Sequence, residues 1–451
     1  MKNATLTFAA ILTLSIAPSA QQPVASRPVA AAAAIQSADL LKNVTEFEAN
    51  GLKVLVKRRE GSQTVAAALF IKGGARNVTA DNAGVESLML DLATEASANY
   101  PRERLRRELA RTGTVLTAGV NLDYSGLTLG STRQYFDAAW EIFADAALRP
   151  SFAADDFERI KKQEIVALSD NEDTPDSALH QLTSRVIYAG TPYINNPHGT
   201  VETMSRLKID DLKRFHQQVM QTSRLLLVVV GDIDARTLQP KVLASFGKLP
   251  KGEYKDAPVA PLSFPAPTVS VTARDLPTNY VNGVYAAPSL TSPDIYPMRV
   301  ITSILRERLF TEIRVKRSLS YAPDADLRSQ AENWGDVSFT AVDANQTAQI
   351  MINEISRLQT ELTRPDDITA VAQQFLTTYY MGQETNAVQA GELAQYELIG
   401  GGWRNSAVVL EKLRAVTPED VRRVANTYMK NLQWIALGKP ASIDKSIFTK
   451  K

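Results

Sequence analysis

Leu207-Lys-Ile-Asp-Asp-Leu-Lys-Arg-Phe215 leads through Val219-Met220 into an apolar run, Leu225 to Val230, that stops at Gly231. In the second half of the chain, Val416-Thr-Pro-Glu-Asp-Val-Arg-Arg-Val424 leads through Tyr428-Met429 into Trp434 to Leu437 and stops at Gly438. Both segments have the pattern of a capped helix with an apolar stripe, followed by a short buried strand. The same closing order, met twice in one chain, points to a duplicated unit.

Outward from these segments the two halves stay in step. The first opens on strand-like runs at Leu52 to Lys57 and Val65 to Ile71, the second on Val269 to Ala273 and Val281 to Ala286. Asn50-Gly51, just before the first run, is a type I′ hairpin signal. Each half then carries a long helical stretch, more strand and further helices. Between them Pro250, Pro258, Pro261, Pro265 and Pro267 fall within 18 residues, beside Lys251, Gly252, Glu253 and Lys255. Such a stretch is extended and poor in backbone donors, which is linker chemistry. The expected fold class is α+β: two homologous domains, 40–249 and 268–440, joined by a linker at 250–267 and followed by a tail at 441–451. Each domain is expected to be a mostly antiparallel sheet with helices packed on one face.

Composition removes several function classes. Of 451 residues, 44% are hydrophobic and 22% charged, so most of the chain is neither disordered nor collagen-like. Lys and Arg number 50 against 49 Asp and Glu, which leaves no basic excess for a nucleic-acid backbone. The chain has no Cys and three His, which excludes thiol catalysis, disulfides, iron–sulfur clusters and Cys-ligated zinc. Met1 to Ala20 has the pattern of a secretory signal, with Lys2, a 14-residue apolar stretch from Ala4 to Ala17, and small residues where cleavage after Ser19 or Ala20 is expected. That stretch is shorter than the roughly 20 residues of a membrane span. Residues 21–39, rich in Ala, Pro and Val, are expected to be a flexible leader. No later segment has 18 uncharged apolar residues, so no membrane span is expected and a bacterial periplasm is the expected compartment.

Val85, Leu88, Met89, Leu92 and Ala93 form the core-facing stripe of the first long helix, which follows Asp81-Asn82. This order of elements resembles the pitrilysin and mitochondrial processing peptidase family of zinc peptidases. Family members carry H-x-x-E-H on this helix, with two His at i and i+4 as zinc ligands and Glu as general base. The matching run here is Gly84-Val-Glu-Ser-Leu-Met-Leu-Asp91. In the resemblance, Ser87 and Asp91 take the places of the two His, and Leu90 that of the Glu. The remaining ligand, a Glu a few residues before a Pro, falls at Ala167 when counted back from Pro175, with Glu164 three residues earlier. A lone carboxylate does not make a tetrahedral zinc site, so no metal is expected in this chain. His180, His198 and His216 are too far apart for a two-His helix motif and are expected to be surface or structural residues.

The second half keeps what the first lacks. Met298, Ile301, Ile304, Leu305, Leu309 and Ile313 stripe a helix opened by Ser292-Pro293-Asp294, and it runs into Arg314-Val-Lys-Arg-Ser-Leu-Ser-Tyr321. Arg314 and Tyr321 resemble the family's Arg-x6-Tyr element, which faces the zinc across the substrate cavity. A neutral phenol can donate to the oxyanion formed when water attacks a peptide carbonyl, and a guanidinium can hold substrate oxygens in a fixed fork. The plain alternative is an Arg closing a helix C-terminus and a Tyr opening a strand.

The family resemblance implies that the two domains form a half-clamshell. It further implies a non-catalytic subunit that pairs with a homologous zinc-bearing peptidase, so that zinc resides in the partner. Peptide or unfolded protein would be enclosed between them, with Arg314 and Tyr321 completing the partner's site. The alternatives are a structural scaffold subunit, or an independent hydrolase using Ser87 or Asp91, although no His lies near Ser87 in sequence. Thr117 to Tyr124 resembles the family's substrate-pairing edge strand, and an ordinary half-buried strand fits it equally. Gly400-Gly-Gly402 is expected to be a turn between helices.

Overall fold

The computed structural model describes residues 41–449, so the expected signal at 1–20 and leader at 21–39 lie outside the described residues. β1 (Val44–Ala49) turns into β2 (Leu52–Arg58) through Asn50 and Gly51, at φ 51° and 84°. Both are left-handed, as a type I′ hairpin requires. With β3 (Thr64–Lys72), β4 (Val115–Val120), β5 (Tyr124–Thr132) and β6 (Leu225–Gly231) they form a sheet of order β1-β2-β6-β3-β5-β4. Only β2 and β6 run parallel.

The second sheet contains β7 (Thr268–Ala273), β8 (Asn279–Ala286), β9 (Asp324–Leu327), β10 (Trp334–Ala341) and β11 (Gln433–Gly438). Its order is β7-β11-β8-β10-β9, and only β7 and β11 run parallel. Apart from β1, the two sheets therefore repeat strand for strand, and the parallel pair falls at the same place in both. The matching glycines are structural. Gly231 has φ 153° and Gly438 φ 157°. A Cβ there would lie 2.9 Å from Thr64 O and 2.3 Å from Asn279 Oδ1 respectively. At Gly231 the clash is with backbone, and at Gly438 the Asn279 amide would have to move away.

Each sheet packs one face on its own half's helices. In the first core these are Val85–Glu95, Phe136–Leu148 and Ile209–Val219; in the second, Ile295–Leu309, Ala344–Thr360 and Pro418–Tyr428. The opposite face is covered by an exchange. The Asn386–Ile399 helix of the second half lies over β3 and β6, where Ala390, Leu393 and Ala394 meet Leu55, Phe70, Leu226 and Val228. In return the Pro175–Ile187 helix of the first half lies over β8 and β11, packing near Val284, Trp334 and Ile435. Burial on both faces explains why β6 is apolar at every position instead of alternating.

Residues 250–267 form no helix or strand, and Val259, Leu262 and Phe264 pack on the cluster between the halves. The expected tail is corrected past residue 440. Lys445–Phe448 is a helical turn, and Phe448 sets its ring edge-on to Trp434 at 5.3 Å, because Ile443 and Phe448 supply apolar surface that the second core buries. The strand expected at 117–124 is β4, which does lie at the edge of its sheet, and only its end is corrected. β4 ends at Val120, and Asn121 Oδ1 accepts from the backbone N–H of Asp123 (2.8 Å) and Tyr124 (2.9 Å), a side-chain-capped turn that reverses the chain into β5. Among the described residues no helix is long and apolar enough to cross a membrane.

Candidate functional site

The Val85–Glu95 helix begins at Gly84, φ 95°, where the 198–204 segment crosses it. A Cβ on Gly84 would meet His198 O at 3.1 Å and Gly199 Cα at 3.2 Å, so the two backbones touch through glycine. That crossing delivers His198, 111 residues away in sequence, to the helix. Its Nδ1 lies 3.4 Å from Ser87 Oγ. Ser87 and Asp91 share one helix face, as i and i+4 positions do, and Ser87 also donates to the Asp91 carboxylate. Burial pushes the Asp91 carboxyl up to about 7, the charges of Glu164 and Glu95 add to this, and the Ser87 hydrogen bond opposes it. Burial likewise holds the His198 imidazole below its ordinary pKa, with Glu164 acting the other way.

The positions that the resemblance picks out thus hold a hydroxyl at Ser87, a buried isobutyl group at Leu90 and a carboxyl at Asp91. Ala167 is exposed, and the carboxylate whose field reaches both Asp91 and His198 is Glu164, about one turn earlier on the Ala154–Asp173 helix. Among the described residues no group of three or more His, Asp or Glu stands close enough to hold a metal ion. This donor set does not fit zinc, and Leu90 has no atom that could take a proton from water.

Two features were missed from sequence. One is the Ser87–His198 pairing, whose only local signal is a glycine at each crossing backbone. The other is Glu86, buried on the sheet side of the same helix. It accepts from Ser125 Oγ of β5 and, at 3.3 Å, from Asn77 Nδ2, and burial pushes its carboxyl up to about 7. The neighbouring Arg224, whose guanidinium stacks 4.2 Å from the Tyr254 ring centroid, lowers the cost of that carboxylate.

In the second half, the Ile295–Leu309 helix runs on as a π-helical turn, Phe310–Val315, and the chain leaves it through Ser318 at φ 52°. Arg314 leaves this turn between two rings, 5.1 Å from the Phe310 centroid and 4.0 Å from that of Tyr321. The nearby acids are engaged elsewhere. Glu312 is held by Lys316 and Arg317, each at 2.6 Å, while Arg306 takes Asp324 (2.6 Å) and Asp326 (3.2 Å). Among the described residues the Arg314 side chain has ring contacts and no hydrogen bond or ion pair, so its guanidinium N–H groups are free. Tyr321 is 78% exposed. No hydrogen bond, ion pair or ring contact joins this pair to Ser87, Asp91 or His198; His216 stands apart as a structural residue, its Nε2 2.9 Å from Ala147 O.

A duplicated α+β unit with this helix in its first copy and an Arg/Tyr pair after the matching helix of its second defines the class: a metallopeptidase fold. The family description "Insulinase (Peptidase family M16)" matches residues 53–198, and "Peptidase M16 inactive domain" matches 206–375. The chain belongs to peptidase family M16. It is 22% identical over 417 residues to the mitochondrial-processing peptidase subunit beta of Blastocladiella emersonii, covering 86% of this chain and 87% of that protein. It is 23% identical over 261 residues to the non-peptidase homolog YmxG of Helicobacter pylori, a match spanning 56% of this chain and 60% of the length of that relative. The crystal structure of a peptidase M16 inactive domain from Pseudomonas fluorescens superposes with a TM-score of 0.81 at 17% identity, covering 88% of this chain and 98% of that one. The chain therefore contains an M16 inactive-type domain and is related both to peptidase subunits and to a non-peptidase homologue.

Proposed function

We propose that this protein is the non-catalytic subunit of a heterodimeric zinc peptidase. It pairs with a zinc-bearing M16 homologue, helps to enclose a peptide or unfolded protein, and supplies Arg314 and Tyr321 to the partner's active site. One observation carries the reading: the Arg314 guanidinium is held between Phe310 and Tyr321 with no hydrogen bond or ion pair of its own, in a chain whose zinc-ligand positions hold Ser87, Leu90, Asp91 and Ala167. A free fork and an exposed phenol are donors without acceptors, and an oxyanion or a substrate carbonyl is the acceptor they suit. The zinc and the general base belong to the partner. The secretory pattern of residues 1–20 supports a periplasmic location for the pair.

The test measures peptide hydrolysis by the zinc-bearing homologue alone, by this chain alone and by the two mixed. Activity should require the mixture. Tyr321→Phe should lower kcat by about ten- to a thousandfold, the range for losing one oxyanion donor. Arg314→Ala should raise KM as well as lower kcat. Full activity of the homologue alone, unchanged by either substitution, overturns the reading.

A further inference from the structure

His198 faces Ser87 on one side and, on the other, lines a half-enclosed cavity of about 610 Å3. The Pro175–Ile187 helix, the 193–206 segment and the turn that ends β4 form its walls, and Gln330 of the second half borders it. Its size is that of a ligand site. Three ionised groups line it. Arg206 and Glu202 face each other at 3.5 Å and offset one another. The Arg185 side chain makes no hydrogen bond or ion pair among the described residues, which leaves one unpaired guanidinium in the wall.

The groups beside Arg185 are donors. Gln181, Ser184 and Arg185 sit at i, i+3 and i+4, so one helix face presents an amide, a hydroxyl and a guanidinium to the hollow. Neither the Gln181 nor the Ser184 side chain has a hydrogen-bond partner among the described residues. His180 is held below its ordinary pKa, chiefly by burial, which favours a neutral imidazole with one N–H to donate. A fixed cation surrounded by neutral donors complements a carboxylate.

The route in is a strand edge. β4 is the outermost strand of its sheet and pairs only with β5. Its last residue, Val120, is itself part of the cavity wall. An extended peptide laid on that edge by backbone pairing runs into the hollow.

We infer that this cavity binds a carboxylate of a bound peptide, either its chain end or an Asp or Glu side chain, with Arg185 as the counter-ion. The inference rests on the peptide-enclosing role proposed above and names the chemistry of the peptide.

The test uses the full chain without any partner and reads fluorescence anisotropy of an N-terminally labelled Ala/Val/Ser octapeptide. Three forms are compared: free C-terminal acid, C-terminal amide, and an amide with Glu as its last residue. The free acid should bind about ten- to a hundredfold tighter than the plain amide, the range for a charge-assisted hydrogen bond. Arg185→Gln should abolish the difference, and Arg185→Lys should keep part of it, since the charge remains without the fork. Tight binding of the Glu amide assigns the site to a side-chain carboxylate, and weak binding assigns it to the chain end. Equal binding of all three forms, an acid preference that survives Arg185→Gln, or no binding at about 1 mM peptide overturns the inference. The zinc-bearing homologue is absent from this assay, so its outcome stands apart from the complementation result.

Discussion

Asp91 has a carboxyl raised to about 7 by burial, by Glu164 and by Glu95. The unfolded chain releases the same proton near pH 3.9. Between roughly pH 4 and 7 the folded protein therefore holds a proton that the unfolded chain has lost. The raised carboxyl's contribution to stability is fully present below about pH 4, falls as the pH rises, and is flat above pH 7. Asp91→Asn keeps an oxygen for Ser87 to donate to and removes the buried charge. It should raise unfolding free energy by about 1–2 kcal/mol at pH 8, and the gain should vanish near pH 4. Urea unfolding across that range checks it, and a gain that grows on acidification would mean that Asp91 is not the titrating group. Much of this site was legible from residue order. The i and i+4 spacing placed Ser87 and Asp91 on one face, and the apolar Leu90 excluded a general base. The position of His198 was not legible, because no local pattern records which loop crosses which helix. Only the touching glycines, Gly84 and Gly199, mark the crossing, and they show it once their positive φ values are known.

The two closing helices, so alike in sequence, differ at their first residue. Thr417 and Asp420 form a reciprocal cap: Asp420 N–H donates to Thr417 Oγ1 (3.1 Å) and Thr417 N–H to Asp420 Oδ2 (3.2 Å). In the first half Asp211 accepts from the Lys208 backbone at 2.8 Å, but Lys208 has no side-chain oxygen to return the bond. Lys208 already has the extended backbone of an N-cap, φ −123° and ψ 158°. Lys208→Thr should therefore stabilise the protein by about 0.5–1 kcal/mol, and Thr417→Ala should cost about 1 kcal/mol, both readable as shifts of the urea midpoint at unchanged slope. Elements of this kind were legible because caps, stripes and glycine stops are written locally. The π-helical turn at Phe310–Val315 was not. Its residues continue the apolar stripe of the helix before it through Ile313, and the extra residue that turns Arg314 toward Phe310 and Tyr321 leaves no trace in the periodicity.

At the scale of the molecule, the exchanged helices decide whether the duplicated halves are independent. The Pro-rich stretch at 250–267 has the composition of a linker between separate domains, yet each half covers one face of the other's sheet. Tyr188, at the end of the Pro175–Ile187 helix, accepts from Trp334 Nε1 (2.7 Å) and donates to Gln330 Oε1 (2.6 Å). Asp123 Oδ2 accepts from the Ala331 backbone at 3.2 Å. In the first half alone, Leu55, Phe70, Leu226, Val228 and Val230 would face water on the side that the Asn386–Ile399 helix now covers. An exposed apolar face of that size is an association site, not the surface of a stable monomer. The halves should therefore unfold together. Calorimetry of the whole chain should give one transition whose calorimetric and van't Hoff enthalpies agree. Residues 41–267 produced alone should aggregate, and residues 268–451 supplied in the same cell should return them to solution as a complex. Two separate transitions, or a soluble monomeric first half with native circular dichroism, would show that the exchanged helices are coverings and not the bond between the halves.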